Sequence, residues 1–157
     1  MDAIHFNLNG KSVSYEGSAT DRLLDVLRNV FRCTSVKCGC KEGECGACAV
    51  LVNEVLLNSC CVAMGAIEDA CVVTMEGYRE TERFAVLDRA FAGVSAVQCG
   101  FCTPGMMLAA EALLSQNPHP DENEIRQGLS GNLCRCTGYN SIVKAVKTAA
   151  EEGNGIW

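Results

Sequence analysis

The sequence predicts an α+β chain, with a small β-rich part carrying one helix followed by a part made of four short helices. Three observations predict it. Residues 4–15 alternate apolar and polar about an Asn-Gly turn, the periodicity changes from strand-like to helix-like near residue 81, and twelve cysteines fall mostly into two tight groups.

Ile4, Phe6 and Leu8 alternate with polar neighbours, and Val13 and Tyr15 resume the alternation after Asn9-Gly10. Asn-Gly tolerates the positive φ of a type I′ turn, so this is a hairpin. Ser18-Ala19-Thr20-Asp21 then reads as a helix opening, with Leu23, Leu24, Val26 and Leu27 as the apolar face. A glycine- and cysteine-rich loop runs from Cys38 to Cys48. The apolar run Ala49–Val52, an Asn53-Glu54 turn and Val55–Leu57 predict a second hairpin, and Val72, Val73 and Met75 a last strand before Gly77. Residues 78–83 read as a linker. Beyond it, Phe84, Leu87, Ala90 and Phe91 share a helical face. Thr103-Pro104 caps a helix over Met106–Leu114, and Asp121 with Glu124 forms a capping box for a third, ended by Gly128 or Gly131. Ile142, Val143, Val146 and Ala150 mark a fourth. The boundary divides the chain into residues 1–77 and 78–157.

Composition removes several function classes. The 157 residues are 48% hydrophobic and 20% charged, with 13 Lys plus Arg against 19 Asp plus Glu and a net charge of −6. No two basic residues are adjacent, so there is no basic face for nucleic acid. No long apolar run suggests a membrane span, and Met1–Asn7 lacks a secretory n-region and h-region, so the expected compartment is the cytoplasm. In that compartment clustered cysteines point to metal rather than to disulfides.

The first group is Cys40-x4-Cys45-x2-Cys48, followed by Cys60. The x4/x2 spacing is that of plant-type 2Fe–2S ferredoxins. Gly39, Gly43 and Gly46 suit a backbone that wraps an anionic object closely, with amides turned towards its sulfurs. Four cysteines also satisfy tetrahedral zinc, although structural zinc sites favour two short-spaced pairs. The doublet Cys60-Cys61 leaves the fourth ligand open on spacing alone. The second group, Cys99-x2-Cys102 with Cys134-x-Cys136, is less specific. Its first half also suits a redox dithiol, but both halves precede expected helix starts, where the positive dipole end favours thiolates.

Taken together, Gly39-Cys40 through Cys48, Asn58-Ser59-Cys60, Gln98-Cys99-Gly100-Phe101-Cys102-Thr103-Pro104-Gly105 and Gly131-Asn132-Leu133-Cys134-Arg135-Cys136-Thr137-Gly138-Tyr139 resemble the iron–sulfur subunit of the molybdenum hydroxylases, the xanthine dehydrogenase and aldehyde oxidoreductase family. The resemblance covers nearly the whole chain. It implies an N-terminal ferredoxin-like β-grasp domain and a C-terminal four-helix bundle, each holding one 2Fe–2S cluster. It selects Cys60 to complete Cys40, Cys45 and Cys48, and joins Cys99, Cys102, Cys134 and Cys136 as the second ligand set. It also implies a large partner subunit carrying molybdopterin in its cytosine dinucleotide form, with Gln98 and Cys136 at the pterin edge. A second partner carries FAD, and the whole is a dimer of heteromers. The chain is then a redox subunit without a substrate site of its own. It passes electrons from molybdopterin through the clusters to the flavin. A free-standing ferredoxin-like carrier and a zinc-binding structural module are the alternatives.

The remaining residues have plainer readings. Cys33, Cys38, Cys61 and Cys71 are expected as small buried hydrophobes. His5 and His119 are expected at the surface, and Met106-Met107 in the core or against the partner. Arg135 is either a charge beside the cluster or a solvated residue. The cysteine load suits an oxygen-avoiding organism, which alone inclines the expected substrate towards an N-heteroaromatic acid such as nicotinate, with a purine as the alternative.

Overall fold

The computed structural model describes residues 3–153 and 155–157; the first two residues of the leader reading lie outside the described residues. Strands β1 (Ile4–Leu8) and β2 (Lys11–Tyr15) form the first hairpin, with Phe6 opposite Val13. Asn9 and Gly10 take φ of 52° and 81°, as a type I′ turn requires. Strands β3 (Ala49–Val52) and β4 (Val55–Asn58) form the second, where Asn53 and Glu54 both have positive φ. Strand β5 (Cys71–Val73) lies parallel to β1 and antiparallel to β3, giving one mixed sheet of order β2-β1-β5-β3-β4.

Helix α1 (Leu23–Asn29) covers one face of the sheet with Leu23, Leu24, Val26 and Leu27, which join Phe6, Val50, Val52 and Val72 in one core. It starts later than Ser18–Asp21 suggests. Those residues form a turn instead: Asp21 accepts from the Ser18 amide at 3.0 Å and from the Tyr15 hydroxyl, so its carboxylate is committed before the helix begins.

The helical part comprises α2 (Met75–Tyr78), α3 (Glu82–Gly93), α4 (Thr103–Gln116), α5 (Glu122–Gly128) and α6 (Asn140–Glu152). Helix α4 is buried over Gly105–Glu111 and again at Leu114, because it lies between the sheet and the other helices. The capping box of α5 is present, with Asp121 and Glu124 each accepting from the other's amide. In β3 all four residues are buried: Val50 and Val52 face α1, while Leu51 joins the helical core with Met106 and Leu108. Burial on both faces explains the unbroken apolar run Ala49–Val52.

Residues 78–83 are not a free linker. Tyr78 is buried and donates its hydroxyl to Glu111 at 2.6 Å, while Arg83 pairs with Glu111 at 2.8 Å and Glu82 already begins α3. Glu111 also accepts from Ser115 and from the Trp157 indole N–H at 2.8 Å. A buried carboxylate surrounded by four donors avoids the cost of an unpaired charge. The network fixes the C-terminal segment against α3 and α4.

Candidate metal centres

The first cysteine group is built from the loop between α1 and β3 and the short 3₁₀ turn Ser59–Cys61 that follows β4. The second hairpin brings that turn back beside the loop. Asn58 donates its side-chain amide to the Gly43 carbonyl at 2.7 Å, and Ser59 donates its hydroxyl to the Cys48 carbonyl at 2.7 Å. Asn58 and Ser59 thus hold the loop at two points while Cys60 turns inward, which gives the Asn-x-Cys pattern a physical basis.

The amides of Glu42 and Glu44 both donate to the Cys40 sulfur, each at 3.4 Å. Hydrogen bonds to a thiolate favour the charged form. The Glu42 amide chiefly, then that of Cys45, lowers the Cys40 thiol to about 6. Cys48 is pushed up to about 11, first by burial, with the adjacent Cys60 thiol adding to it. The wrapping is not achieved as three positive-φ glycines. Gly43 and Gly46 have φ of 84° and 67°, Lys41 supplies a third left-handed residue, and Gly39 serves close approach: a Cβ there would meet the Cys45 sulfur at 2.6 Å.

In the second group Cys102 is the residue that caps α4, so Thr103 begins the helix and does not cap it. Cys134 and Cys136 come from the loop before α6. Each loop supplies two thiols to one site. All four line one cavity of about 650 Å³, together with Leu133, Arg135 and Tyr139. Burial first, then the Cys134 thiol, pushes Cys102 up to about 12, while Cys136 is raised chiefly by Cys99. Burial alone would raise Cys134, yet it is held below the ordinary range by the Thr137 hydroxyl and the amides of Thr137 and Cys136. The Thr137 hydroxyl donates to the Cys134 sulfur at 3.1 Å, and the Tyr139 hydroxyl accepts the Cys134 amide at 2.8 Å. Tyr139 reaches that position through φ of 70°, preceded by Gly138 at 65°. Residue-level reading of the sequence missed both roles; the motif Cys-Thr-Gly-Tyr was their only trace.

The two groups touch. The Leu133 amide donates to the Cys45 carbonyl at 3.0 Å, and the buried Asn132 donates its side-chain amide to the Gly46 carbonyl at 3.2 Å. A Cβ on Gly105 would lie 2.3 Å from the Gly46 carbonyl oxygen, and one on Gly46 would lie 2.4 Å from the Gly131 carbonyl oxygen. Glycine at both positions is what permits the approach.

Gln98 and Cys136 are both exposed at the rim of the second group, as is Arg135; the apolar side chains Val97, Phe101 and Leu133 are exposed around them at 43%, 47% and 56%. His5 and His119 are at the surface, and Met106 and Met107 are in the helical core. Of the four remaining cysteines only Cys33 is buried. Cys38, Cys61 and Cys71 are exposed: Cys38 lies in the loop before β3, Cys61 ends the 3₁₀ turn, and Cys71 is the first residue of the central strand β5.

Among the described residues no three His, Cys, Asp or Glu side chains close to the spacing of a single ion. The second four thiols line one cavity, one sulfur of each group carries donors aimed at it, and at Gly39 the Cys45 sulfur takes the place a side chain would fill. That donor set and cradle fit an anionic two-iron cluster at each group.

Two family models divide the chain between them: a 2Fe-2S iron-sulfur cluster binding domain matches residues 6–76 and a [2Fe-2S] binding domain matches residues 74–147. The nicotinate dehydrogenase small FeS subunit of Eubacterium barkeri is 49% identical over 148 residues, 94% of each chain. The crystal structure of quinoline 2-oxidoreductase from Pseudomonas putida 86 superposes with a TM-score of 0.89 at 38% identity, covering 96% of this chain and 94% of that one. The aldehyde oxidoreductase of Desulfovibrio desulfuricans gives a TM-score of 0.91 at 38% identity over 99% of this chain, which spans only 17% of that longer polypeptide. With its α+β fold and its paired cysteine groups, the chain belongs to the family of 2Fe–2S electron-transfer subunits of the molybdenum hydroxylases, the relatives of xanthine dehydrogenase and aldehyde oxidoreductase.

Proposed function

We propose that this chain relays electrons singly from a molybdopterin centre on a large partner subunit to FAD on another. Cys99, Cys102, Cys134 and Cys136 are the ligands nearer the molybdopterin, and Cys40, Cys45, Cys48 and Cys60 those nearer the flavin. The observation that carries the reading is the Leu133–Cys45 hydrogen bond, which joins the residue before Cys134 to the backbone of Cys45. Each 2Fe–2S cluster supplies one-electron storage; the protein supplies position, shielding and potential. The Glu42 and Glu44 amides stabilise charge at Cys40, and Thr137 does so at Cys134. Leu51 and the Gly46–Gly105 contact hold the two halves, a β-grasp domain over residues 1–77 and a four-helix bundle over 78–157, at a fixed separation.

The exposed rim of Val97, Gln98, Phe101, Leu133 and Cys136 supports contact with the large subunit, and Gln98 can both donate to and accept from a pterin edge. Within the same reading the cofactor is the cytosine dinucleotide form, the assembly is a dimer of heteromers and the compartment is the cytoplasm. No helix among the described residues is long and apolar enough to cross a membrane. The substrate is proposed as an N-heteroaromatic acid of the nicotinate type, supported by the 49% identity to the nicotinate dehydrogenase small FeS subunit. Affinity purification of the tagged chain tests the assembly. It should bring down a molybdenum-containing and an FAD-containing polypeptide, and nicotinate should bleach the visible absorbance of the complex. A chain that runs alone as a monomer would be a free-standing ferredoxin instead; bleaching by xanthine and not by nicotinate would move the substrate to purines.

A further inference from the structure

The doublet Cys60-Cys61 leaves one thiol without a task. Cys60 is buried beside Cys48, whereas Cys61 is exposed. Its sulfur nonetheless has two close neighbours in the protein. It lies 3.7 Å from the Cys60 sulfur, and a Cβ built on Gly43 would meet it at 2.9 Å. Gly43 is the middle of the Cys40–Cys48 loop, held there by Asn58. The Cys61 sulfur therefore rests on the cysteine loop, in a gap that any side chain at Gly43 would close. A tetrahedral metal–thiolate centre with bonds of about 2.3 Å spaces its sulfurs by roughly 3.8 Å. The Cys60–Cys61 separation is about one such edge, so the Cys61 sulfur lies a single ligand-to-ligand distance from the position it would take.

From this placement we infer that Cys61 is a reserve ligand of the first cluster, taking the coordination position of Cys60 whenever that bond is lost. The exchange breaks the iron bond to the Cys60 sulfur and forms one to the Cys61 sulfur. Cys61 gives up its thiol proton and the departing Cys60 thiolate takes it, so charge and oxidation state are unchanged. The inference rests on the proposal that Cys40, Cys45, Cys48 and Cys60 hold a two-iron cluster.

The test compares the wild-type complex with Cys60→Ala, Cys61→Ala and the double variant, assaying iron and recording paramagnetic spectra of the reduced protein. Wild type and Cys61→Ala should both hold about four irons per chain. Cys60→Ala should hold the same number with a changed signal for the first cluster only, and the double variant should fall to about two. Cys61→Ala should also lose the first cluster several-fold faster to an iron chelator. Iodoacetamide labelling gives a second readout: Cys61 should be alkylated in wild type and protected in Cys60→Ala. Loss of two irons from Cys60→Ala, with the second cluster's signal intact as evidence of folding, would overturn the reserve role alone. So would alkylation of Cys61 in a Cys60→Ala protein that keeps its iron. A wild type holding zinc in place of iron would overturn the cluster assignment beneath it as well.

Discussion

The Leu133 amide donates to the Cys45 carbonyl at 3.0 Å, so the two cysteine groups, far apart in sequence, are joined by one backbone hydrogen bond. Asn132 reinforces it at the neighbouring Gly46, and Gly105 closes against the same carbonyl. Small residues let the two groups approach at this point, within the wider packing of α4 on the sheet.

Gly105→Ala is the direct probe of that spacing. Its Cβ would sit 2.3 Å from the Gly46 carbonyl oxygen, and backbone cannot move aside cheaply. The variant should lose about 1–3 kcal/mol of stability, as overpacked sites do. It should also exchange electrons between the groups more slowly, while iron content is preserved. Chemical denaturation and rapid-freeze spectroscopy on one preparation measure both.

Thr137→Val removes the hydroxyl that donates to the Cys134 sulfur. A hydrogen bond of this kind is worth about 1 kcal/mol, or roughly 40 mV for a one-electron couple. The second cluster should become harder to reduce by that order, the first should not change, and Thr137→Ser should restore the wild-type value. A redox titration followed by paramagnetic resonance reads each separately.

Gln98→Ala should leave both clusters' iron intact, because Gln98 is proposed to meet the pterin and not the metal. In the assembled enzyme it should weaken molybdopterin retention or slow the first transfer, at a cost of about 1–3 kcal/mol for a lost buried hydrogen bond. Molybdenum assay with single-turnover kinetics tests it; full occupancy and normal transfer would remove Gln98 from the junction.

Tyr78 gives a pH dependence. Burial first, then the hydrogen bond and charge of Glu111, raise its hydroxyl far above the ordinary tyrosine range. The folded state therefore holds this proton more tightly than the unfolded chain. The resulting stability is complete below the unfolded pKa of about 10 and is lost as pH rises above it. Tyr78→Phe should flatten the alkaline side of the stability profile relative to wild type, measured by denaturation between neutral and strongly alkaline pH.

Local chemistry made much of this legible in the sequence. Asn9-Gly10 and Asn53-Glu54 announced their turns because few residues adopt positive φ, and Asp121 with Glu124 announced α5 because capping is a contact three residues long. What stayed hidden depends on partners distant in sequence. Asp21 looked like a helix opener because the hydroxyl of Tyr15 was not visible as its partner. Leu51 carried no sign that it faces a different core from Val50. Glu111 gave no warning of Tyr78, Arg83 and Trp157, and the convergence of Cys102 and Cys134 on one cavity required both loops in place. Cys38, Cys61 and Cys71 were expected inside because free cysteine usually is; positions in a loop, a turn and at the start of a strand put them outside.

The central claim is that two cysteine groups hold two separate 2Fe–2S clusters, and elemental analysis with paramagnetic resonance on the purified complex tests it most directly. About four irons and four acid-labile sulfides are expected per copy of this chain, with two distinct signals on reduction, one from the glycine-rich loop and one from the helical site. A colourless protein carrying zinc and no labile sulfide would contradict it.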